Sequence, residues 1–287
     1  MLGMSSVSQA RNPAARSESL IGRLLPASER RLWRHRFDFI QADVWAYFRV
    51  QYDQYFLGWF WWILEPILIA LTYSLVVALF FNLEGNRFWT ILISLTAWRW
   101  FANCIDMSPH LLKGFIPYLK TGGVSLQLLF VSFLAKATFG FLIALSVIVI
   151  PTFIFAATPT WNVLWIPLIM LCELLLIYWL SAITVIVGAL FHDTGKLVGT
   201  FVSLWWYFSP GLYIRSDVQQ VPEWVMRWLV VNPHWAIITS WQNVLLRGEP
   251  PDFEGLFIWA GISTIMCIVM ALILRRGRRV LLRLAFD

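Results

Sequence analysis

Six long runs of apolar residues constrain this chain more than any other feature. A membrane-spanning helix needs about 20 consecutive, mostly apolar residues. The runs that reach or approach this length are 57–81, 88–105, 124–156, 163–191, 197–214 and 256–274. Hydrophobic residues make up 59% of the 287 residues and charged residues only 13%, whereas a soluble domain carries about 25% charged residues. We therefore predict an all-α integral membrane protein, with six transmembrane helices in a domain that covers residues 57–275.

The first run opens with LGWFWWILEP at residues 57–66. It carries three tryptophans where an aromatic belt would meet the membrane surface: Trp59, Trp61 and Trp62. Pro66 can kink the helix, and Glu65 would lie about 10 Å inside the membrane at 1.5 Å per residue. A charged side chain at that depth should face protein or water rather than lipid.

The basic residues predict the orientation, because cytoplasmic loops carry an excess of Lys and Arg. With the N-terminus in the cytoplasm, sixteen of the 22 basic residues lie on the cytoplasmic side and four lie outside. The other two, Arg99 and Lys136, fall within spans. We therefore expect cytoplasmic basic tails at residues 1–36 and 276–287.

A helix is also predicted just before the first span, in residues 37–56. One face of it is apolar, at Phe37, Ile40, Val44, Tyr47, Phe48 and Tyr55. The other face is polar, and the segment runs directly into a span, which favours an amphipathic helix in the membrane interface. A soluble amphipathic helix is the alternative.

Residues 221–248, between the fifth and sixth runs, are moderately apolar and are interrupted by Pro222 and Pro233. Each half has about 11–14 residues, or roughly 17–21 Å, too short to cross a core of about 30 Å. We predict two re-entrant half-helices packed inside the protein on the outer side, since exposed irregular backbone does not persist in lipid. A cap lying on the membrane surface is the alternative.

Four charged residues lie within the predicted spans: Glu65, Arg99, Lys136 and Glu173. A charge at the centre of a spanning helix costs about 2.5–3.5 kcal/mol, so each needs a partner. Lys136 and Glu173 fall at similar depths in the third and fourth spans. We predict that these two neutralise each other; contact with the substrate is the alternative.

No sequence pattern indicates catalysis. The four histidines are scattered, and neither paired acids nor a Ser/His/Asp arrangement stands out, so we expect no catalytic residues and no metal site. The phosphate-binding motif GxxxxGK[ST] does not occur in the sequence. If ATP drives this protein, we expect a separate chain to bind it.

Four stretches carry a resemblance to a known family. They are LGWFWWILEP, LTAWRWFANCIDMSPHLLKGFIPYLK, LFHDTGKLVGTFVSLWWYFSPGLY and VPEWVMRWLVVNPHWAIITSWQNVLLRG. In this order they resemble the membrane-spanning permease subunit of ATP-binding-cassette polysaccharide exporters, which move O-antigen, capsule or teichoic-acid chains across the bacterial inner membrane. The resemblance covers roughly residues 37–275. Where the family usually has valine after Ser209 and Pro210, this chain has Gly211.

The resemblance implies a homodimeric pore with a separate ATPase subunit beneath each copy. ATP and Mg²⁺ would bind that partner, this chain would bind no cofactor, and the substrate would be a lipid-linked glycan. A segment at 107–121 resembles the family's coupling helix. It would present four side chains to the ATPase: Leu111, Leu112, Phe115 and Tyr118. A plain connecting loop is the alternative for this segment.

Two further sets of residues are candidates for the transport path. Aromatic side chains could line it, because a sliding sugar chain can contact them without fixed hydrogen bonds: Trp98, Trp100, Trp205, Trp206, Tyr207 and Phe208. The predicted outer gate contains Pro210, Pro222, Trp224, Trp228 and Pro233. A permease of the same fold that exports drugs or lipids is the alternative function, and a membrane-bound glycosyl- or acyltransferase is a more distant one.

Overall fold

The computed structural model describes residues 27–54, 60–81, 87–120, 124–191, 193–211 and 222–276. Most of the predicted basic tail at 1–36, the predicted tail from residue 277 onward, and the ends of several predicted segments (55–59, 121, 212–214 and 221) therefore lie outside the described residues. Within the described residues the chain is helical and contains no strand.

The α-helices of the described part follow one another in chain order. They are α1 (Ala27–Gln54), α2 (Trp61–Phe81), α3 (Arg87–Met107), α4 (Leu111–Lys120), α5 (Leu126–Phe155), α6 (Ile166–Leu190), α7 (Thr194–Tyr207), α8 (Glu223–Val231), α9 (Pro233–Gln242) and α10 (Phe253–Arg276). Short 3₁₀ turns at Ser108–His110 and Trp161–Trp165 precede α4 and α6, and a π-helical turn at Asn243–Arg247 follows α9.

Three segments of the described part are long and apolar enough to cross a membrane. They are Leu126–Phe155, Trp161–Leu190 and Phe253–Arg276. Their mean hydropathy is between 2.2 and 2.5, which agrees with an integral membrane all-α protein. The helix in the fifth predicted span is shorter than expected, since α7 ends at Tyr207 after 14 residues, a length of about 21 Å.

Helix α3 lies at the centre of the bundle. Every side chain from Ile91 to Trp98 is buried, and α3 packs against α2, α5, α6, α7 and α9. A helix that is apolar and buried on all sides is typical of the middle of a large helical protein. The buried polar groups of α3 must therefore find partners on its neighbours.

The two halves of the predicted re-entrant segment differ in their surroundings. Nearly all of α9 is buried, from Pro233 to Gln242, where it contacts α3, α6 and α10. On α8, by contrast, Trp224 and Trp228 are 68% and 75% exposed. Only α9 is enclosed by the protein, and α8 lies at its surface.

Candidate functional site

Lys136 pairs with an acid of the N-terminal helix. Its Nζ lies 2.9 Å from Oδ2 of Asp43 on α1, and the same carboxylate oxygen accepts a hydrogen bond from Ser132 Oγ at 2.6 Å. About a fifth of each charged side chain is exposed. The predicted pairing of Lys136 with Glu173 is therefore wrong, because α1 supplies a nearer acid.

A signal for Asp43 was present in the sequence. Asp43 lies between Ile40 and Tyr47 at helical spacing, within the apolar stripe of α1 rather than on its polar face. An acid inside an apolar stripe indicates a buried cation on the neighbouring helix, since an unpaired charge there would be costly. That neighbour is α5, which also contacts α1 where the ring of Phe48 meets that of Phe139 at 5.0 Å.

Arg99 and Glu65 form a second ion pair, which joins α3 to α2. Their side chains meet at 2.9 Å, with 26% and 51% of them exposed. The expectation that Glu65 faces protein or water is met by this contact. All four charged residues that the sequence places within spans are described, and three of them are ion-paired.

The two ion pairs border a cavity of about 530 Å³ between α1, α2, α3 and α5. Its lining combines Glu65, Arg99 and Lys136 with aromatic walls such as Trp100 and Phe141. The last two rings stack at 4.3 Å. The cavity therefore combines charged and aromatic surfaces.

Glu173 anchors the buried helix α9 to α6. It is fully buried, and its Oε2 accepts a hydrogen bond from Trp241 Nε1 at 3.0 Å. Gln242, which follows Trp241 in the chain, donates from Nε2 to Ser94 Oγ at 2.9 Å and to the carbonyl oxygen of Pro210 at 2.7 Å. These bonds join α9 to α6, to α3 and to the turn that follows α7.

Asn232 performs the same role at the other end of α9. Its Oδ1 caps the helix by accepting from the backbone N–H of His234, and it also accepts from Trp205 Nε1, each at 3.0 Å. Its Nδ2 donates to the carbonyl oxygen of Phe208 at 3.0 Å and to Ser209 Oγ at 3.3 Å. Sequence reasoning missed this residue, although an Asn directly before a Pro is a common helix start.

His234 lies in an aromatic cage behind Asn232. The rings of Trp98, Phe101 and Trp205 surround its imidazole at 4.8, 4.1 and 5.5 Å. Complete burial lowers the pKa of His234 well below its ordinary value, because a charged imidazole cannot be hydrated there. His234 is therefore a neutral packing residue of this cage.

The predicted coupling segment contains a helix, but its faces differ from the expectation. Helix α4 begins after the 3₁₀ turn that contains Pro109. Leu112 and Phe115 are 1% and 8% exposed, so they pack inside this chain, and the prediction that they face a partner is wrong. The open face of α4 presents Lys113 and Tyr118.

The predicted pathway aromatics fall into two groups. Trp98, Trp100 and Trp206 are buried within the described chain, while Tyr207 and Phe208 are 56% and 60% exposed. Trp205 is partly buried. The buried members pack inside the bundle, and Tyr207 and Phe208 lie at its surface.

The predicted gate residues also separate. Pro210 and Pro233 are buried, whereas Pro222, Trp224 and Trp228 are exposed. Gly211, which stands where valine was expected, has a packing reason. A Cβ atom there would lie 2.1 Å from Cη2 of Trp206, so only glycine leaves room for that indole.

The described residues contain no group of three or more His, Cys, Asp or Glu that could hold a metal ion. Three of the buried or partly buried polar residues, Glu173, Asn232 and Gln242, join α9 to α6, to α3 and to the turn at 208–210.

No family model matches the chain. Curated relatives do match it. The chain is 25% identical over 220 residues, which is 76% of its length and 84% of the relative's, to an O-antigen export system permease protein, RfbA, of Myxococcus xanthus. It is also 25% and 24% identical, over 202 residues in each case, to two proteins of that name from Klebsiella pneumoniae, covering 70% of this chain and 77% of theirs. These comparisons agree with the resemblance seen in the sequence: this chain is similar to permease proteins of O-antigen export systems.

Proposed function

We propose that this chain is the permease subunit of an ATP-binding-cassette transporter that exports a lipid-linked polysaccharide across the bacterial inner membrane. The observation that carries the proposal is the similarity to three O-antigen export permeases, which extends over 70–76% of this chain. The apolar helices and the enclosed α9 support it, because a permease needs both spans and a segment that closes the path. The polymer would be an O-antigen, a capsule chain or a similar glycan.

The proposed topology has six spans and both termini in the cytoplasm. The spans are α2, α3, α5, α6 with its preceding 3₁₀ turn, α7 with the turn that follows it, and α10. The distribution of basic residues supports this orientation. Helix α1 would lie in the cytoplasmic interface, where its exposed aromatic residues Trp33, Phe37 and Trp45 suit the headgroup region.

In this topology α4 faces the cytoplasm and contacts the ATPase subunit. Since Leu112 and Phe115 are buried, the contact would use Lys113, Tyr118 and the partly buried Leu111. ATP and Mg²⁺ would bind to that partner. The absence of a GxxxxGK[ST] motif in this chain supports the division of labour.

A second copy of this chain would complete the pore. The exposed side chains of α7 and of the residue after it are candidates for that interface or for the pore wall, because they combine apolar surface with hydroxyl groups: Leu197, Thr200, Phe201, Ser203, Leu204, Tyr207 and Phe208. Helices α8 and α9 would form the outer gate, with α9 as its enclosed half. The cavity bounded by Arg99 and Lys136 would open near the cytoplasmic side.

Deletion of the gene from its source bacterium tests the proposal. We expect loss of long polysaccharide from the cell surface and accumulation of the lipid-linked glycan inside the cell, both reversed by the wild-type gene. Drug susceptibility measured in the same strains distinguishes a polysaccharide exporter from a drug exporter, because only loss of a drug exporter should increase susceptibility. Unchanged surface polysaccharide together with increased drug susceptibility would contradict the proposal.

A further inference from the structure

The segment that leads into α4 is seated directly on glycines of α6 and α7. A Cβ atom at Gly188 would lie 2.5 Å from the backbone oxygen of Pro109, and one at Gly195 would lie 2.5 Å from His110 Nε2. A Cβ atom at Gly199 would lie 2.7 Å from Asp106 Oδ1. The glycines thus leave no gap between segment 106–110 and the first turns of α7.

The opposite end of α7 is bonded to both ends of α9. Asn232, at the start of α9, bonds to Trp205, Phe208 and Ser209, and Gln242, at its end, bonds to the carbonyl oxygen of Pro210. Helix α3 also reaches α9, through the hydrogen bond from Gln242 to Ser94. The turn at 208–210 is therefore hydrogen-bonded to residues at both ends of α9.

A single helix of 14 residues connects these two contacts. Closely packed interiors have low compressibility and transmit displacement. The backbone of Pro109 meets Gly188 on α6, and the side chains of His110 and Asp106 meet Gly195 and Gly199 on α7. A shift of segment 106–110 would therefore press on both helices. It would move α7 along its length and carry the turn at 208–210 with it.

We propose that α7 is the mechanical link through which the coupling segment controls the outer gate, with Asn232 as the joint between α7 and α9. This inference rests on the proposed function, because it assumes an ATPase acting on α4. It adds the route by which that action reaches α9. It also assigns a role to the contact at each end of α7: Gly195 and Gly199 receive the displacement, and the bonds to Asn232 pass it on to α9.

Replacement of Asn232 tests the joint in the complex with its ATPase, reconstituted in proteoliposomes. For Asn232→Ala we expect glycan export per ATP hydrolysed to fall roughly tenfold, within the usual range of coupling between sites, while ATP hydrolysis continues. The matched control is Asn243→Ala. Asn243 also makes two side-chain hydrogen bonds, with Arg247 and with the carbonyl oxygen of Pro250, but neither is to α7, so this variant should keep the wild-type ratio. A wild-type ratio in Asn232→Ala would overturn the proposal.

A second variant protects the test against misfolding. Asn232→Asp keeps the acceptor for Trp205 and for the backbone N–H of His234 but loses both donated bonds to Phe208 and Ser209. We expect it to lower the same ratio, and a thermal midpoint measured in parallel establishes that the variant is folded. An unchanged ratio in this folded variant would count against the joint as strongly as an unchanged ratio in Asn232→Ala.

The glycine contact is tested by complementary changes in size. We expect Gly195→Ala to reduce glycan export per ATP hydrolysed, because its methyl group would collide with the ring of His110. The double variant with His110→Ala should recover most of the wild-type export per ATP. A defect that His110→Ala leaves unchanged would show that the contact does not transmit motion.

A distance measurement separates this inference from the proposed function, because it requires ATP but no glycan. Spin labels at the exposed positions Ser203, Trp224 and Ile262 report on α7, α8 and α10. ATP binding to the partner should change the 203–262 and 224–262 distances together in the otherwise wild-type chain. In the Asn232→Ala background only the 203–262 distance should change. If both distances still change there, the link is wrong even if export is established, whereas failure of the wild-type complex to export would contradict only the function.

Discussion

Asp43 shows how much one side chain on a surface helix can determine. It neutralises Lys136 and accepts from Ser132, and so fixes α1 to α5 at a point within the apolar stripe of α1. A partly buried charge that loses its partner is left without compensation. The pair should therefore behave as one unit when it is mutated.

We predict strong non-additivity between Asp43 and Lys136. Asp43→Asn and Lys136→Met should each lower the thermal midpoint of the purified protein. The double variant should lower it by clearly less than the sum of the two single changes, with a coupling of about 0.5–3 kcal/mol. Thermal unfolding of the four proteins in one detergent measures this coupling.

Two control cycles accompany that measurement. The pair formed by Glu65 and Arg99 is more exposed, so water screens it and its coupling should be smaller. Lys136 and Glu173 have separate partners, so their changes should simply add. A large coupling between Lys136 and Glu173, with none between Lys136 and Asp43, would contradict the structure.

Gly211 provides the second prediction. Gly211→Ala should lower the thermal midpoint, since the new methyl group would collide with Trp206 and overpacking costs about 1–3 kcal/mol. Trp206→Phe in the same chain should relieve part of the loss. Gly261→Ala on α10 is the matched control, because nothing lies within 4 Å of its added Cβ; alanine there should be neutral or slightly stabilising. Equal effects at both glycines would contradict this packing.

At the scale of elements, the faces of α4 give a third prediction. Tyr118→Glu and Lys113→Glu should weaken co-purification of the ATPase subunit at least several-fold while the permease remains folded, since both side chains are exposed. Leu112→Glu should instead destabilise the permease itself, because it places a charge in a buried site. Arg247→Glu, a charge reversal on the proposed outer side, should leave co-purification unchanged. Full retention of the ATPase by Tyr118→Glu would contradict the contact.

The sequence was sufficient to predict where helices lie, but not which of their faces are buried. Long apolar runs and prolines such as Pro109 and Pro233 mark where helices form and start, because length and backbone chemistry are local properties. The burial of Leu112, the partner of Lys136 and the bonds of Asn232 depend on which helices become neighbours. In a membrane protein almost every face is apolar, so hydrophobic periodicity does not identify the inward one. Polar residues in apolar stripes, such as Asp43, are the better signal.

At the scale of the whole molecule, the proposed topology predicts which residues an impermeant thiol reagent can reach. The native residues Cys104, Cys172 and Cys267 are first replaced. Arg247→Cys should then be labelled in intact inner-membrane vesicles or spheroplasts only from the outer side, and Lys113→Cys only from the cytoplasmic side. Labelling of both positions from the same side would contradict six spans with α8 and α9 outside.

The central claim is that this chain forms the path for a polysaccharide and that a separate ATPase supplies the energy. The most direct measurement is glycan translocation by purified components in proteoliposomes, together with ATP hydrolysis. We predict that this chain alone neither hydrolyses ATP nor translocates lipid-linked glycan, and that addition of the ATPase subunit produces both activities. ATP hydrolysis by this chain alone, or a complete complex that hydrolyses ATP and moves no glycan, would contradict the account.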